Sequence, residues 1–237
     1  MQKKLNKAPV VEIFCDFDGT ITTFDSTDFI LKKLADPSWI EIEERWDAGE
    51  INSRECMGLQ VALIKGGWRA VEAALSEVQI ESTFADFVLW CKSNSFVLNV
   101  VSDGLDRVIH YLLAREGLKV DRVFANRLVE VDDNLSLQFP HAQEGNCQIG
   151  VCKCKLLEPD GQPKVNVVIG DGSSDFCWAK EADVLFAKSK LAKHCNEQSI
   201  KYNPFDDFLS IRSTLANWLE NAAANKISSV QSSLFPS

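Results

Sequence analysis

Short apolar runs recur along the 237-residue chain, and each breaks off in polar residues. The first is Val10-Val11-Glu12-Ile13-Phe14-Cys15. Phe96-Val97-Leu98-Asn99-Val100-Val101, Val165-Asn166-Val167-Val168-Ile169 and Val184-Leu185-Phe186-Ala187 follow. Runs this short, rich in β-branched and aromatic residues, predict buried strands. Helical patterns at 83–93, 105–116 and 175–181 separate them, and strands alternating with helices imply a parallel sheet with crossovers. Leu128-Val129-Glu130-Val131 and Leu135-Ser136-Leu137-Gln138-Phe139 flank Asp132-Asp133-Asn134, which predicts a β-hairpin.

Between the first two strands, about Phe24 to Ile80 carries no strand signal. Its periodicity predicts helices over 26–34, 38–47, 53–64 and 68–78, with Ser26 and Ser53 as N-caps and Gly49 and Gly66-Gly67 as stops. That is too much chain for a crossover. The expected architecture is α/β: a Rossmann-like parallel sheet core over 8–23 and 81–220, with a small α-helical cap (24–80) inserted after the first strand. The segment 221–237, rich in Ala, Asn and Ser, predicts a frayed helix end and a disordered tail.

The length suffices for one core plus such an accessory unit. A net charge of −9 without a basic stripe argues against nucleic-acid binding. No stretch has the length and apolarity of a membrane helix. The basic start, Met1 to Lys7, leads directly into the first strand rather than into a signal-peptide apolar region, so a cytoplasmic protein is expected. Of eight cysteines, Cys15, Cys56 and Cys91 sit inside apolar patterns, which predicts buried thiols rather than a disulfide framework.

Chemistry concentrates where the predicted strands end. Asp16-Phe17-Asp18-Gly19-Thr20 follows the first, at the edge where open α/β sheets bind ligands. Two neighbouring buried acids are costly without a cation or donors, so the pair calls for a metal. Gly19 permits a tight turn with inward N–H groups, and Thr20 adds a hydroxyl. Ser102-Asp103-Gly104 follows the second strand and reads either as a phosphate cradle or as a helix N-cap. Gly170-Asp171-Gly172-Ser173-Ser174-Asp175 follows the third. Asp171 is a candidate Mg²⁺ ligand there, and Asp175 could hold metal-bound water or a lysine. His141, Cys147, Cys152 and Cys154 form a Cys/His-rich stretch without the paired Cys-x₂-Cys spacing of a strong zinc signal.

These motifs resemble those of the haloacid dehalogenase superfamily of aspartate-nucleophile phosphatases. The resemblance implies Asp16 as nucleophile, Asp18 as general acid/base, Ser102 as the second-motif hydroxyl and Mg²⁺ as cofactor. The implied metal set is Asp16, Asp18 (through its backbone carbonyl), Asp171 and Asp175. It also implies a lysine upstream of the last acidic motif. Lys153 and Lys155 are the candidates, and Lys155 is favoured because Leu156-Leu157 after it suits a helix entering the core. Gly19, Thr20, Asp25, Ser102, Asp103 and Gly104 are the expected substrate contacts, although relatives often carry Gly where Asp103 stands, and an N-cap is the modest reading of it.

The cap's placement resembles the phosphoserine-phosphatase-like branch. That branch binds its amino acid with a Glu, at whose position Asp25 stands, and with a cap Arg. The matching region here, Cys56-Met57-Gly58-Leu59-Gln60, has no cation, which disfavours phosphoserine. The His141-to-Lys155 stretch resembles the methionine-salvage ketoenol-phosphate phosphatases and the phosphocholine/phosphoethanolamine phosphatases. Cys177 also resembles the latter. The resemblance is closest to the methionine-salvage group and implies Mg²⁺-dependent hydrolysis of a small-molecule phosphomonoester. The reading from another class is a noncatalytic phosphate-binding protein of the same fold, against which stand the retained Asp16, Asp18, Ser102, Lys155 and Asp171.

Overall fold

The computed structural model describes residues 10–143, 147–159, 161 and 163–234, with side chains described as far as residue 221. The first apolar run becomes β1 (Val10–Asp16), and the later runs become β2 (Val97–Leu105), β5 (Lys164–Gly170) and β6 (Val184–Ala187). The expected hairpin is β3 (Arg122–Val131) with β4 (Asn134–Gln138), turning through Asp132 and Asp133, both at positive φ. With β7 (Asn203–Pro204) they form a seven-stranded sheet, ordered β4-β3-β2-β1-β5-β6-β7. All pairings are parallel except β3 with β4.

Both faces of the sheet are covered, which is why its strands read as near-continuous apolar runs. Along β1, Val11, Ile13 and Cys15 enter one core, with the helix α5 (Phe84–Ser93) and the helix α6 (Asp106–Arg115). Phe14 enters the other core, with Trp178 and with Leu191 of the helix α7 (Ser189–Glu197). The long helix α8 (Phe208–Leu234) closes the first face: Phe208 packs on Phe84 and Phe87, with ring centroids 4.8 and 5.2 Å away.

Residues 24–80 hold four helices: α1 (Ser26–Leu34), α2 (Trp39–Asp47), α3 (Ser53–Val61) and α4 (Gly67–Ala74), the last continued by a 3₁₀ turn at Leu75–Glu77. Their apolar faces are continuous with the sheet core through Ile30, Val61, Trp68 and Val71. Polar ties reinforce the junction. Glu130 of β3 accepts from Trp68 N at 2.6 Å and pairs with Arg107, whose guanidinium stacks on Trp68 at 4.2 Å. Arg115 donates to the carbonyls of Leu75 and Val78, both at 2.7 Å.

Several local expectations are corrected. The N-caps are Asp25 and Asn52, whose side chains accept from Asp28 N and Glu55 N, so Ser26 and Ser53 are the first helical residues. Both residue types cap well, and capping one position earlier frees the two serine hydroxyls for tertiary contacts. Asp103 is not an N-cap either. β2 continues through it to Leu105, with a register irregularity against β3, and α6 starts at Asp106. Instead of a helix over 175–181 there is a 3₁₀ turn, Ser173–Asp175, because the Asp175 carboxylate bends back to accept from the N–H groups of Asp171 and Gly172. At the C-terminus α8 continues to Leu234 where a disordered tail was expected, through residues that include strong helix formers. Residues 8–9, 144–146 and 235–237 lie outside the described residues.

Truncating Phe208 to alanine removes the ring that joins α8 to α5. Phe208→Ala is expected to lower stability by about 3–5 kcal/mol, read as a fall in the urea midpoint at unchanged m-value; an unmoved midpoint would refute this packing role.

Candidate active site

The parallel strands deliver their C-terminal ends to one edge, and β1 separates β2 on one side from β5 on the other. Such a switch point opens the crevice where α/β sheets bind ligands. Asp16 ends β1, Ser102 lies near the end of β2, and Asp171 follows β5. After β1 the chain turns tightly, with the N–H groups of Ile21 and Thr22 donating to Phe17 O. Gly19 serves that turn at φ +76°, and a β-carbon there would lie 2.8 Å from Asp171 Oδ2. The glycine thus lets two acidic loops approach each other.

The lysine at the centre is Lys153, not Lys155. Lys153 Nζ lies 2.5 Å from Asp16 Oδ1 and 2.7 Å from Asp175 Oδ1, and its side chain has no exposure to solvent. Burial alone pulls an ammonium down, but Asp16 and Asp175 outweigh it and hold Lys153 above its ordinary value. Lys155 points outward and pairs with Glu158 at 2.6 Å. The apolar pair that favoured Lys155 instead continues a 3₁₀ turn, Lys153–Leu157, which puts Lys153 and Leu157 inside.

Asp18 is held apart from this cluster. Its Oδ1 accepts from both the N–H and the hydroxyl of Ser26, at 2.8 and 2.5 Å, and its Oδ2 accepts from Ser102 Oγ at 3.2 Å. Burial pushes its carboxyl up, with Ser26 pulling against that. Ser26 was not anticipated as a site residue, since its position signals a cap. Asp103 acts as a junction. It accepts from Val151 N and Asn126 Nδ2 at Oδ1, and from Ser53 of the cap at Oδ2. Ser102 Oγ accepts from Gly104 N at 2.8 Å. Gly19 N donates to Thr22, and the Thr20 hydroxyl donates to Asp171 Oδ1 at 2.8 Å, so these two expected substrate contacts are engaged within the protein. Asp25, the cap of α1, is exposed.

Asp16, Asp171 and Asp175 converge, each with an oxygen within 4.8 Å of the others. Burial first, then the charge of Asp175, pushes Asp16 well above the usual carboxylate range against the pull of Lys153, and burial raises Asp171 as well. A small divalent cation would offset that excess of negative charge, and hard, sparse oxygen donors fit Mg²⁺. Asp175 already serves Lys153 and two N–H groups, whereas Asp16 and Asp171 each keep an oxygen without a hydrogen bond from the protein.

All eight cysteines are free thiols. Cys152 and Cys154 flank Lys153 with sulfurs 3.5 Å apart, and burial, with Cys147 and Cys154 beside it, pushes the Cys152 thiol up to about 12. Among the described residues, the three aspartates are the only group of His, Cys, Asp and Glu side chains that could hold an ion, so these thiols do not form a ready metal site. A cavity of about 500 Å³ opens between the cap and the loop before Lys153, lined by Trp46, Ile51, Asn52, Ser53, Gln148 and Ile149, with Glu50 and Glu55 but no Lys or Arg among the described residues.

Removing the buried cation separates the two lysines. Lys153→Met is expected to cost about 3–5 kcal/mol in urea unfolding at neutral pH, because it strands two buried carboxylates. Lys155→Met is expected to leave the midpoint unmoved, and equal effects would contradict the assignment of the buried partner.

Comparison with known proteins gives one consistent pattern. The family model described as haloacid dehalogenase-like hydrolase matches residues 13–180. A 2-hydroxy-3-keto-5-methylthiopentenyl-1-phosphate phosphatase of Bacillus velezensis is 32% identical over 227 residues, covering 90% of this chain and 96% of that protein. Its counterpart in Geobacillus thermodenitrificans is 33% identical over 209 residues, covering 84% and 92%. Among solved structures, a phospho-aspartyl intermediate analogue of phosphoserine phosphatase superposes with a TM-score of 0.65 at 22% identity, over 88% of this chain and 99% of that one. A substrate-bound phosphoserine phosphatase gives 0.60 at 22% identity, over 79% and 90%. The last two share the fold; the family match and the extended identity place the chain, and it belongs to the haloacid dehalogenase-like hydrolases.

Proposed function

We propose that the protein is a Mg²⁺-dependent phosphomonoesterase that hydrolyses a small-molecule phosphate ester through an aspartyl-phosphate on Asp16. The observation that carries this reading is the meeting of Asp16, Lys153, Asp18, Ser102 and Asp171 at one sheet edge. A carboxylate nucleophile and a phosphate dianion repel each other, so the site must supply positive charge and donors. Lys153 offsets the charge of Asp16, and Ser102 offers a hydroxyl to a phosphoryl oxygen. Asp16 and Asp171, with the Asp18 backbone carbonyl and with Asp175 behind, would hold Mg²⁺, which would supply further neutralisation of the transferring phosphoryl group.

The chemistry divides between the two acids of the first motif. Asp16 attacks phosphorus in line, forming the acyl phosphate, while Asp18 gives its proton to the departing ester oxygen. Asp18 then takes a proton from water as that water hydrolyses the intermediate and regenerates Asp16. The contacts of the two acids differ in keeping with this division. Asp16 touches the ammonium of Lys153, whereas Asp18 is held by the neutral donors Ser26 and Ser102. The helical segment 24–80 acts as the lid that excludes water from this step. Ser26 and Ser53 attach it to Asp18 and Asp103.

The relatives' activity supports a ketoenol phosphate of the methionine-salvage type, or a close analogue, as substrate. The cavity lined by Ser53, the partner of Asp103, supports an uncharged tail, since no Lys or Arg among the described residues lines it to receive a carboxylate. This weighs against phosphoserine, as does the position of Arg54 outside that lining. Free thiols throughout accord with a reducing, cytoplasmic setting.

Purified protein screened against a phosphomonoester panel is expected to release phosphate with Mg²⁺ and to stop when the metal is chelated by EDTA. Release from none of the panel would favour a noncatalytic phosphate-binding protein. Asp16→Asn is expected to lower kcat by at least about a thousandfold, since the amide cannot form the covalent intermediate; a variant with full turnover would remove Asp16 from the nucleophile's role.

A further inference from the structure

One hydroxyl at the site has no partner. Thr27 Oγ1, in the first turn of α1, is shut off from solvent and makes no hydrogen bond. Thr27 is the second residue of α1, so no preceding helical turn offers its hydroxyl a carbonyl. A buried unpaired hydroxyl is unfavourable, and its presence in a native fold calls for a physical reason.

The neighbours of this hydroxyl around Gly104 supply one. A β-carbon on Gly104 would lie 2.6 Å from Asp18 Oδ2, 3.0 Å from Ser102 Oγ and 3.2 Å from Thr27 Oγ1. Three oxygens, from the loop after β1, from β2 and from α1, therefore gather around Gly104, close to one another, where any side chain would collide with them. Gly104 is not at positive φ, so the backbone does not require glycine there. The close approach of the three oxygens does. The carboxylate of Asp18 is divided in the same sense: Oδ1 is taken twice by Ser26, and Oδ2 only by the long bond from Ser102. The spare capacity of Oδ2 and the unused hydroxyl of Thr27 meet at the same place.

We propose that Thr27 is a substrate-contacting residue. Its hydroxyl donates to the ester oxygen of the bound phosphomonoester and then to the water that replaces it, holding each in turn against Asp18 Oδ2. This rests on the phosphomonoesterase reading above. The ester oxygen gains negative charge as its bond to phosphorus breaks, so a donor placed there strengthens toward the transition state. The contact also gives the cap a direct part in the chemistry, because Thr27 reaches the oxygen only when α1 is docked.

Full-length Thr27→Val and Thr27→Ser proteins test this with p-nitrophenyl phosphate, whose leaving group departs without a proton, and with alkyl phosphates, whose leaving groups need one. Thr27→Val is expected to lower kcat about tenfold on alkyl phosphates with KM within about twofold, and to lower it less on p-nitrophenyl phosphate. Thr27→Ser should restore most of the rate. The thermal midpoint of Thr27→Val should equal or exceed that of the wild type, because the lost hydroxyl had no partner. The inference is overturned by wild-type turnover of alkyl phosphates in Thr27→Val, by a serine variant as slow as the valine one, or by an equal loss on both substrate types with a lowered midpoint. A wild-type protein that releases phosphate from none of these compounds overturns the phosphomonoesterase reading itself, and is recognised because the defect then precedes any substitution.

Discussion

The site is organised around one buried ammonium. Lys153 lies between Asp16 and Asp175 with no exposure of its side chain, and each carboxylate belongs to a different loop at the sheet edge. Charges in such surroundings persist only when paired and hydrogen-bonded. Asp175 meets that requirement by accepting three hydrogen bonds, one from Lys153 and two from the N–H groups at the end of β5. The lysine thereby fixes the loop that presents Asp171, and Thr20 ties Asp171 back to the loop carrying Asp16. Positioning of the nucleophile and shaping of the metal-binding group are thus one network.

A second network fastens the cap, and it uses other oxygens of the same loops. Asp18 turns away from the lysine toward Ser26 and Ser102, and Asp103 turns toward Ser53, Asn126 and Val151. The two aspartates of the first motif therefore sit in different electrostatic settings although one residue separates them. One contacts an ammonium; the other contacts only neutral donors. That difference lets two chemically identical side chains take different roles.

Much of this was legible from local pattern. The runs at Val10 and Val184 show their strand character through composition, and the polar stretches after Cys15, Val101 and Ile169 mark the strand ends where acids and hydroxyls gather. Where reading failed, a contact distant in sequence had overridden a local preference. Ser26 and Ser53 are good caps, yet Asp25 and Asn52 take that part and the serines turn to Asp18 and Asp103. The pattern over 175–181 has helical spacing, yet the carboxylate of Asp175 satisfies N–H groups behind it and the chain stays in a 3₁₀ turn. Asp103 reads as a residue beyond the strand and as an N-cap, yet β2 runs through it to Leu105 and its carboxylate accepts from Asn126, Val151 and Ser53.

The sequence by itself determined the α/β alternation, the helical insertion and the identity of the acidic motifs, because these follow from the period of apolar residues and from residue chemistry over a few positions. Only the tertiary structure decided between Lys153 and Lys155. Both are lysines in the same apolar neighbourhood, and the choice depends on two carboxylates 137 and 22 residues away. It likewise gave Thr27 its place, since an unpaired hydroxyl is visible only when everything around it has been accounted for. Propensity acts along the chain, whereas the pairing of buried charges and hydroxyls is settled by whatever the fold brings within reach.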